Sequence, residues 1–390
     1  MNRIGLIMIT SIFLLIALAQ VSLAQEPLNS NTMTVVLDIA KYEKAIHILA
    51  MLLLGFGFLM VFVKKYGRSA LTATFLLVST SIPLYFYFSS FSFLKSSPEL
   101  IERLILAEFG AASLLITAGA VLGRIKMHQY IILGLFFTAF YMLNEWIVVN
   151  GATSFIPLGG FADTGGSIVI HAFGAIFGIS AAFIATKKEE LNIPIEADAN
   201  SDRFSMLGSM VLWVFWPSFC SALVKPELMT LTVINVILAL CGSTLATYII
   251  STLKRGKISI ADIANASLAG GVAIGSTCDH ANPFAAFAVG ILAGVISTLG
   301  FAVIQSAMQK KLKLIDTCGV SNLHGFPGLL GGFSAIFIVS GINVSFQLTG
   351  ILITVLIAIA GGMITGKIVT LFGSIPIPYN DSSEFADAEY

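Results

Sequence analysis

The sequence predicts an all-α polytopic membrane protein of eleven transmembrane helices, in which spans 1–5 and 6–10 form an inverted repeat. Three observations predict it. The 390-residue chain is 57% hydrophobic and only 11% charged, whereas soluble domains carry about 25% charged residues. Its apolar residues gather into runs long enough to cross a bilayer, which takes about 20 residues of helix. A nine-residue pattern ending in histidine also occurs once in each half, from Asp163 to His171 and from Asp316 to His324.

Taken from the N-terminus, residues 1–24 read as a signal peptide. Arg3 supplies the positive start, residues 4–19 the apolar core and Ser22-Leu23-Ala24 a small-x-small cleavage site. An uncleaved first span is the competing reading. The membrane domain is expected over 25–373, with spans near 43–63, 70–92, 98–122, 127–149, 165–186, 204–223, 227–253, 260–278, 283–309, 318–340 and 346–372. Several contain Gly, Pro or a lone charge, which buried membrane helices tolerate. Residues 374–390 form a short acidic tail.

The basic residues fix an orientation. With the N-terminus outside, the inner connections hold Lys64, Lys65, Arg68, Arg124, Lys126, Lys187, Lys188, Arg203, Lys254, Arg255, Lys257, Lys310, Lys311 and Lys313. The outer ones hold only Lys41, Lys44, Lys95, Arg103 and Lys225. The positive-inside rule therefore expects the N-terminus out and the C-terminus in.

Composition excludes other classes. The formal net charge is zero, so nothing recommends nucleic acid as a partner. Cys220, Cys241, Cys278 and Cys318 form no CxxC pair, so neither a zinc knuckle nor a disulfide framework is expected. No cofactor is implied.

Topology gives the repeated pattern its meaning. The first copy opens a span running inward and the second a span running outward, as an inverted repeat requires, and transport proteins place their sites where such repeats meet. Counting eight helical residues from aspartate to histidine, at about 1.5 Å each, puts each histidine about 12 Å inside, against a hydrocarbon half-thickness of about 15 Å. His171 and His324 are thus expected near the midplane, approached from opposite faces. Ionisable groups there are costly, which favours a functional pair over a packing role.

The other polar residues carry weaker signals. Asp163 and Asp316 precede helix starts and suit helix capping; Asp163 could also attract a cation near the outer mouth. Glu145, at the outer end of span four, could do the same or simply be a solvated or hydrogen-bonded helix end. Glu108, Asp262 and Asp279 lie within or at the ends of spans, and His47, His128 and His280 read as structural. Two histidines alone could also be metal ligands, but no carboxylate is expected at matching depth.

Several segments carry a family resemblance: LLGFGFLMVFVKKYG (53–67), AEFGAASLLITAGAVLGR (107–124), GGSIVIHAFGA (165–175), LWVFWPSFCSAL (212–223) and DTCGVSNLHGFPGLLGG (316–332). The chain resembles the Rhesus (Rh) branch of the ammonium transporter/Rh superfamily, and a bacterial Rh protein in particular. The resemblance implies a homotrimer with one pore per subunit, lined by His171 and His324 and gated by stacked Phe109 and Phe219. It also matches Asp163 to the family's acidic residue at the outer start of span five. The implied cargo is ammonium or ammonia, with methylammonium as a further solute and the lipid of a bacterial inner membrane as surroundings; conduction of carbon dioxide is the alternative reading, since a dry, narrow pore could also pass an apolar gas. The vestibule Trp of the ammonium transporter branch has no secure counterpart, since Trp146 stands after Glu145 where Rh proteins usually have Phe.

Overall fold

The computed structural model describes residues 32–91, 94, 97, 99–151, 156–157 and 159–386. The expected signal peptide, residues 1–24, lies outside the described residues. Among the described residues, eleven membrane-crossing segments follow in order: α1 (Val35–Phe62), α2 (Gly67–Ser89), α3 (Leu100–Val121), α4 (Met127–Val148), α5 (Ser167–Ala185), α6 (Ala199–Cys220), α7 (Pro226–Arg255), α8 (Ile260–Ala266, continued by Ala269–Ile274 and Gly275–Thr277), α9 (Pro283–Leu312), α10 (Ser321–Gly325, continued by Phe326–Ile338) and α11 (Val344–Thr370). Eight of these are long and apolar enough, by length and composition, to cross a membrane. The other three are α6, which opens on a polar turn with Asp202, and the segmented α8 and α10. We call the side on which α1 begins the N-face and the side on which α11 ends the C-face.

The first helix begins at Thr32, well before the apolar run that predicted a span from 43. Its opening turns carry Asp38, Lys41, Glu43 and Lys44, so hydropathy misses them. They are held by tertiary contacts instead: Lys41 donates to Glu99 at 2.6 Å and to Glu102 at 2.7 Å, tying α1 to α3 at the N-face.

The two halves repeat one another's packing. α2 lies on α4 as α7 lies on α9, α3 on α5 as α8 on α10, and α1 on α3 as α6 on α8; α1 meets α6, and α5 meets α10, between the halves. Backbone bonds follow the same exchange. The Gly165 N–H donates to the Gly275 carbonyl at the end of α8 (2.7 Å), while the Cys318 N–H donates to the Gly119 carbonyl near the end of α3 (3.1 Å). Each half thus anchors the approach to the other half's histidine helix.

At the C-face, Arg124 is buried and gathers the loops. It donates to the carbonyls of Ala120 (2.7 Å) and Ile315 (2.8 Å) and to the Thr186 hydroxyl (2.9 Å), and it lies 3.5 Å from the Glu190 carboxylate. The described part of the tail returns to this face. Tyr379 N–H donates to Gly123 O at 2.9 Å, and the Asp381 carboxylate accepts from the N–H groups of Arg68 (3.1 Å) and Ser69 (2.9 Å).

Candidate functional site

Both histidine helices start in the same unusual way. Gly166 and Gly319 have φ of 74° and 67°, a left-handed conformation that glycine adopts without a Cβ penalty. After each glycine comes a stretch with π-type hydrogen bonding, Ser167–Ala172 and Ser321–Gly325, and each stretch holds its histidine. Such wider turns recur at functional sites. The counted rise from aspartate to histidine therefore needs correction. The chain is not helical between Asp163 and Gly166, because the left-handed glycine turns it, and the helix begins only at Ser167.

The aspartates support these starts. Asp163 accepts from Ile168 N–H (3.0 Å), Val169 N–H (2.8 Å) and the Ser276 hydroxyl (2.5 Å). Asp316 accepts from Val320 N–H (2.9 Å), Ser321 N–H (2.9 Å) and the Ser321 hydroxyl (2.7 Å). Each carboxylate satisfies donors that a helix start leaves without intrahelical partners. Glu145 takes the second of its two readings, a hydrogen-bonded helix end: it is buried and accepts a 2.6 Å hydrogen bond from the Tyr85 hydroxyl.

The histidines meet. His171 Nδ1 and His324 Nδ1 are 3.2 Å apart, both rings are buried, and the ring planes differ by only 9°. A neutral imidazole carries one N–H and one bare nitrogen, so a hydrogen bond between two Nδ1 atoms requires opposite tautomers. One His then offers a lone pair at its Nε2 and the other offers an N–H there. His171 Nε2 is buried with no hydrogen-bond partner among the described residues.

Aromatic rings extend the pair in both directions. Toward the N-face, Phe219 lies 6.1 Å from His171, ring centre to ring centre, and Phe109 lies 4.6 Å from Phe219. Toward the C-face, Phe56 lies 6.2 Å from His324. Below His324 a narrow cavity of about 30 Å³ is lined by Phe56, Leu59, Met60, Phe62, Leu115, Ile116, Gly119, Asn265, Cys318, Val320 and Leu323. That is room for one or two water molecules; His324 completes the lining, which holds no Asp, Glu, Lys or Arg side chain.

Sequence reasoning missed Trp216 and Phe56. Trp216 stacks on His171 with ring centres 5.5 Å apart and planes 21° apart. Its position three residues before Phe219 in Trp-Pro-Ser-Phe was the available signal, because residues three apart share a helix face. Phe56 carries no such signal in an apolar run. Among the described residues, no group of three or more His, Cys, Asp or Glu could hold a metal ion, and zinc sites take three or four protein ligands.

The fold and the site together define an integral multi-pass membrane protein of inverted-repeat build, with a histidine pair where the halves meet. The family model of the Ammonium Transporter Family matches residues 6–390, and the chain belongs to that family. Within it the chain falls in the Rh branch. It is 37% identical over 356 residues to the ammonium transporter Rh type B of Oryctolagus cuniculus, covering 83% of this chain and 76% of that protein. The solved structure of Nitrosomonas europaea Rh50, of the Rhesus protein family of channels, matches with 52% identity and a TM-score of 0.88, covering 91% of this chain and 94% of that one. A sensor Amt protein shares the fold, with a TM-score of 0.78 at 18% identity over 91% of this chain and 98% of that one.

Proposed function

We propose that this chain conducts ammonia, drawn from ammonium, through the file of rings from Phe109 to Phe56 and the cavity below it. The observation that carries the reading is the combination of an unionised lining with one buried hydrogen-bonded imidazole pair. A cation in such a passage loses its hydration without a compensating charge, a heavy cost. Neutral ammonia loses less, and the histidines return hydrogen bonds to it. The tautomer with a bare Nε2 accepts from an ammonia N–H, and the tautomer with Nε2–H donates to the ammonia lone pair. Phe109 and Phe219, above His171 with their ring planes tilted by 46°, act as the gate at which ammonium gives up its proton to the aqueous side.

On this reading the N-face is outside and the C-face cytoplasmic, in a bacterial inner membrane, after removal of residues 1–24. The assembly is a homotrimer in lipid, with one pore in each subunit. The same narrow, largely apolar file suits carbon dioxide, a neutral gas that needs no hydrogen-bond partner, and methylammonium is a larger test solute for the gate.

The deciding experiment is an ammonium jump on proteoliposomes, recording charge movement on a solid-supported membrane and internal alkalinisation by stopped flow. Ammonia conduction gives rapid alkalinisation without current. A current that accounts for the whole flux overturns it in favour of ammonium transport or a proton relay along the histidines. A carbon dioxide jump on the same vesicles shows whether that gas shares the path.

A further inference from the structure

Phe219 is on α6, and α6 is held from the side by two residues of α1. His47 Nδ1 and the Ser218 hydroxyl share a 2.9 Å hydrogen bond, and the His47 ring stacks on Phe215 with centres 4.8 Å apart and planes 26° apart. One turn earlier on α1, Lys44 Nζ donates to the Ser221 carbonyl at 2.9 Å, with the Met229 sulfur at 3.3 Å. The two α1 residues are three apart and so share a face.

The geometry of α6 makes this hold specific. Successive helical residues turn by about 100°, so Phe215 and Ser218 form one stripe, and Trp216 and Phe219 form the next stripe at a fixed rotation from it. The first stripe meets His47. The second meets the pore: Trp216 stacks on His171, and Phe219 lies between His171 and Phe109. Any rotation of α6 that moves the pore rings must also break the contacts at His47. The turn also contains Pro217, which lacks an N–H and removes one bond of the helical ladder, so α6 is locally less constrained from within. Lys44 finishes the hold at the helix end. Its positive charge meets the Ser221 carbonyl just past the last helical residue, where the helix dipole is negative.

We propose that Lys44 and His47 are positioning residues for the N-face constriction, fixing the azimuth and the end of the Trp216–Phe219 turn and so setting which solutes pass Phe219. The inference rests on the reading of Phe109 and Phe219 as a gate. It assigns to α1, remote in sequence from the gate, the control of the gate's aperture.

The test measures methylammonium and ammonia permeation in proteoliposomes containing the full chain, after gel filtration of each variant. Simple loss of folded protein lowers both fluxes together and leaves their ratio unchanged. A loosened aperture raises methylammonium relative to ammonia. His47→Ala and Ser218→Ala are each expected to raise the ratio roughly fivefold, the scale of one hydrogen bond, and Lys44→Met to raise it in the same direction. His47→Asn, which restores a hydrogen-bonding nitrogen near Nδ1, and Lys44→Arg should return the ratio toward the parent value. In a Phe219→Ala background, His47→Ala should add nothing, because coupled sites are non-additive. If His47→Ala does not fold, Ser218→Ala alone carries the test. An unchanged ratio in Ser218→Ala, alongside an altered one in Phe219→Ala, overturns the proposal and spares the gate. An unchanged ratio in Phe219→Ala overturns the gate reading and this inference with it.

Discussion

The Nδ1 atoms of His171 and His324 face each other at 3.2 Å with their rings nearly parallel. They come from opposite halves of the chain and arrive by helices that start at opposite faces. Because one Nδ1 must donate and the other accept, the pair presents an acceptor at one end and a donor at the other. Neither half of the repeat could make that arrangement alone.

Removing either ring should slow conduction without dispersing the protein. His171→Ala and His324→Ala are each expected to lower ammonia flux by about tenfold, corresponding to about one hydrogen bond at the barrier. Stopped-flow alkalinisation of proteoliposomes measures it. Parent-level flux in both variants would exclude the pair from the path.

Asp163 and Asp316 should matter first to stability. Each carboxylate accepts from three donors, two of them backbone N–H groups at a helix start. Replacement by Ala leaves buried donors unsatisfied, at a cost of about 2–4 kcal/mol for each site. Thermal unfolding in detergent should show a clear fall in midpoint for both variants. An unchanged midpoint with reduced flux would instead make the aspartates direct participants in conduction.

The left-handed glycines should resist any side chain. An alanine Cβ at Gly166 would run into Ile170, and one at Gly319 into the Phe301 ring, with an unfavourable φ added at both positions. Gly166→Ala and Gly319→Ala are expected to cost more than about 1 kcal/mol each, read as lower unfolding midpoints and reduced yield of folded protein. A neutral Gly319→Ala would show that the turn relaxes in solution.

Arg124 should control the C-face. Its side chain is 1% exposed and the facing Glu190 side chain 6%. Removing one partner of such a pair strands the other and costs about 3–5 kcal/mol. Arg124→Ala should therefore expose the 187–196 loop to limited proteolysis. Arg124→Lys should recover only part of the protection, because an ammonium lacks the guanidinium's planar set of five donors. Parent-like digestion of Arg124→Ala would show that the loop is held by other contacts.

Much of the fold was legible in the chain itself. Hydropathy located the eleven crossings, because a bilayer imposes a length on each, and the repeated Asp-to-His pattern named the two residues at the centre. The same local signal failed where tertiary contacts took over. The polar opening turns of α1 are helical through contacts such as Lys41 with Glu99 and Glu102.

By itself the sequence determined the eleven crossings among the described residues, the inverted relation of the halves and the identity of the paired histidines. Each of these follows from patterns read along one chain. Only the tertiary structure decided that the rings meet through Nδ1, that Trp216 and Phe56 flank them, and that His47 reaches across to Ser218. The physical reason is that the bilayer fixes where a helix lies along its axis, whereas its rotation and its neighbours are fixed by packing among side chains far apart in sequence.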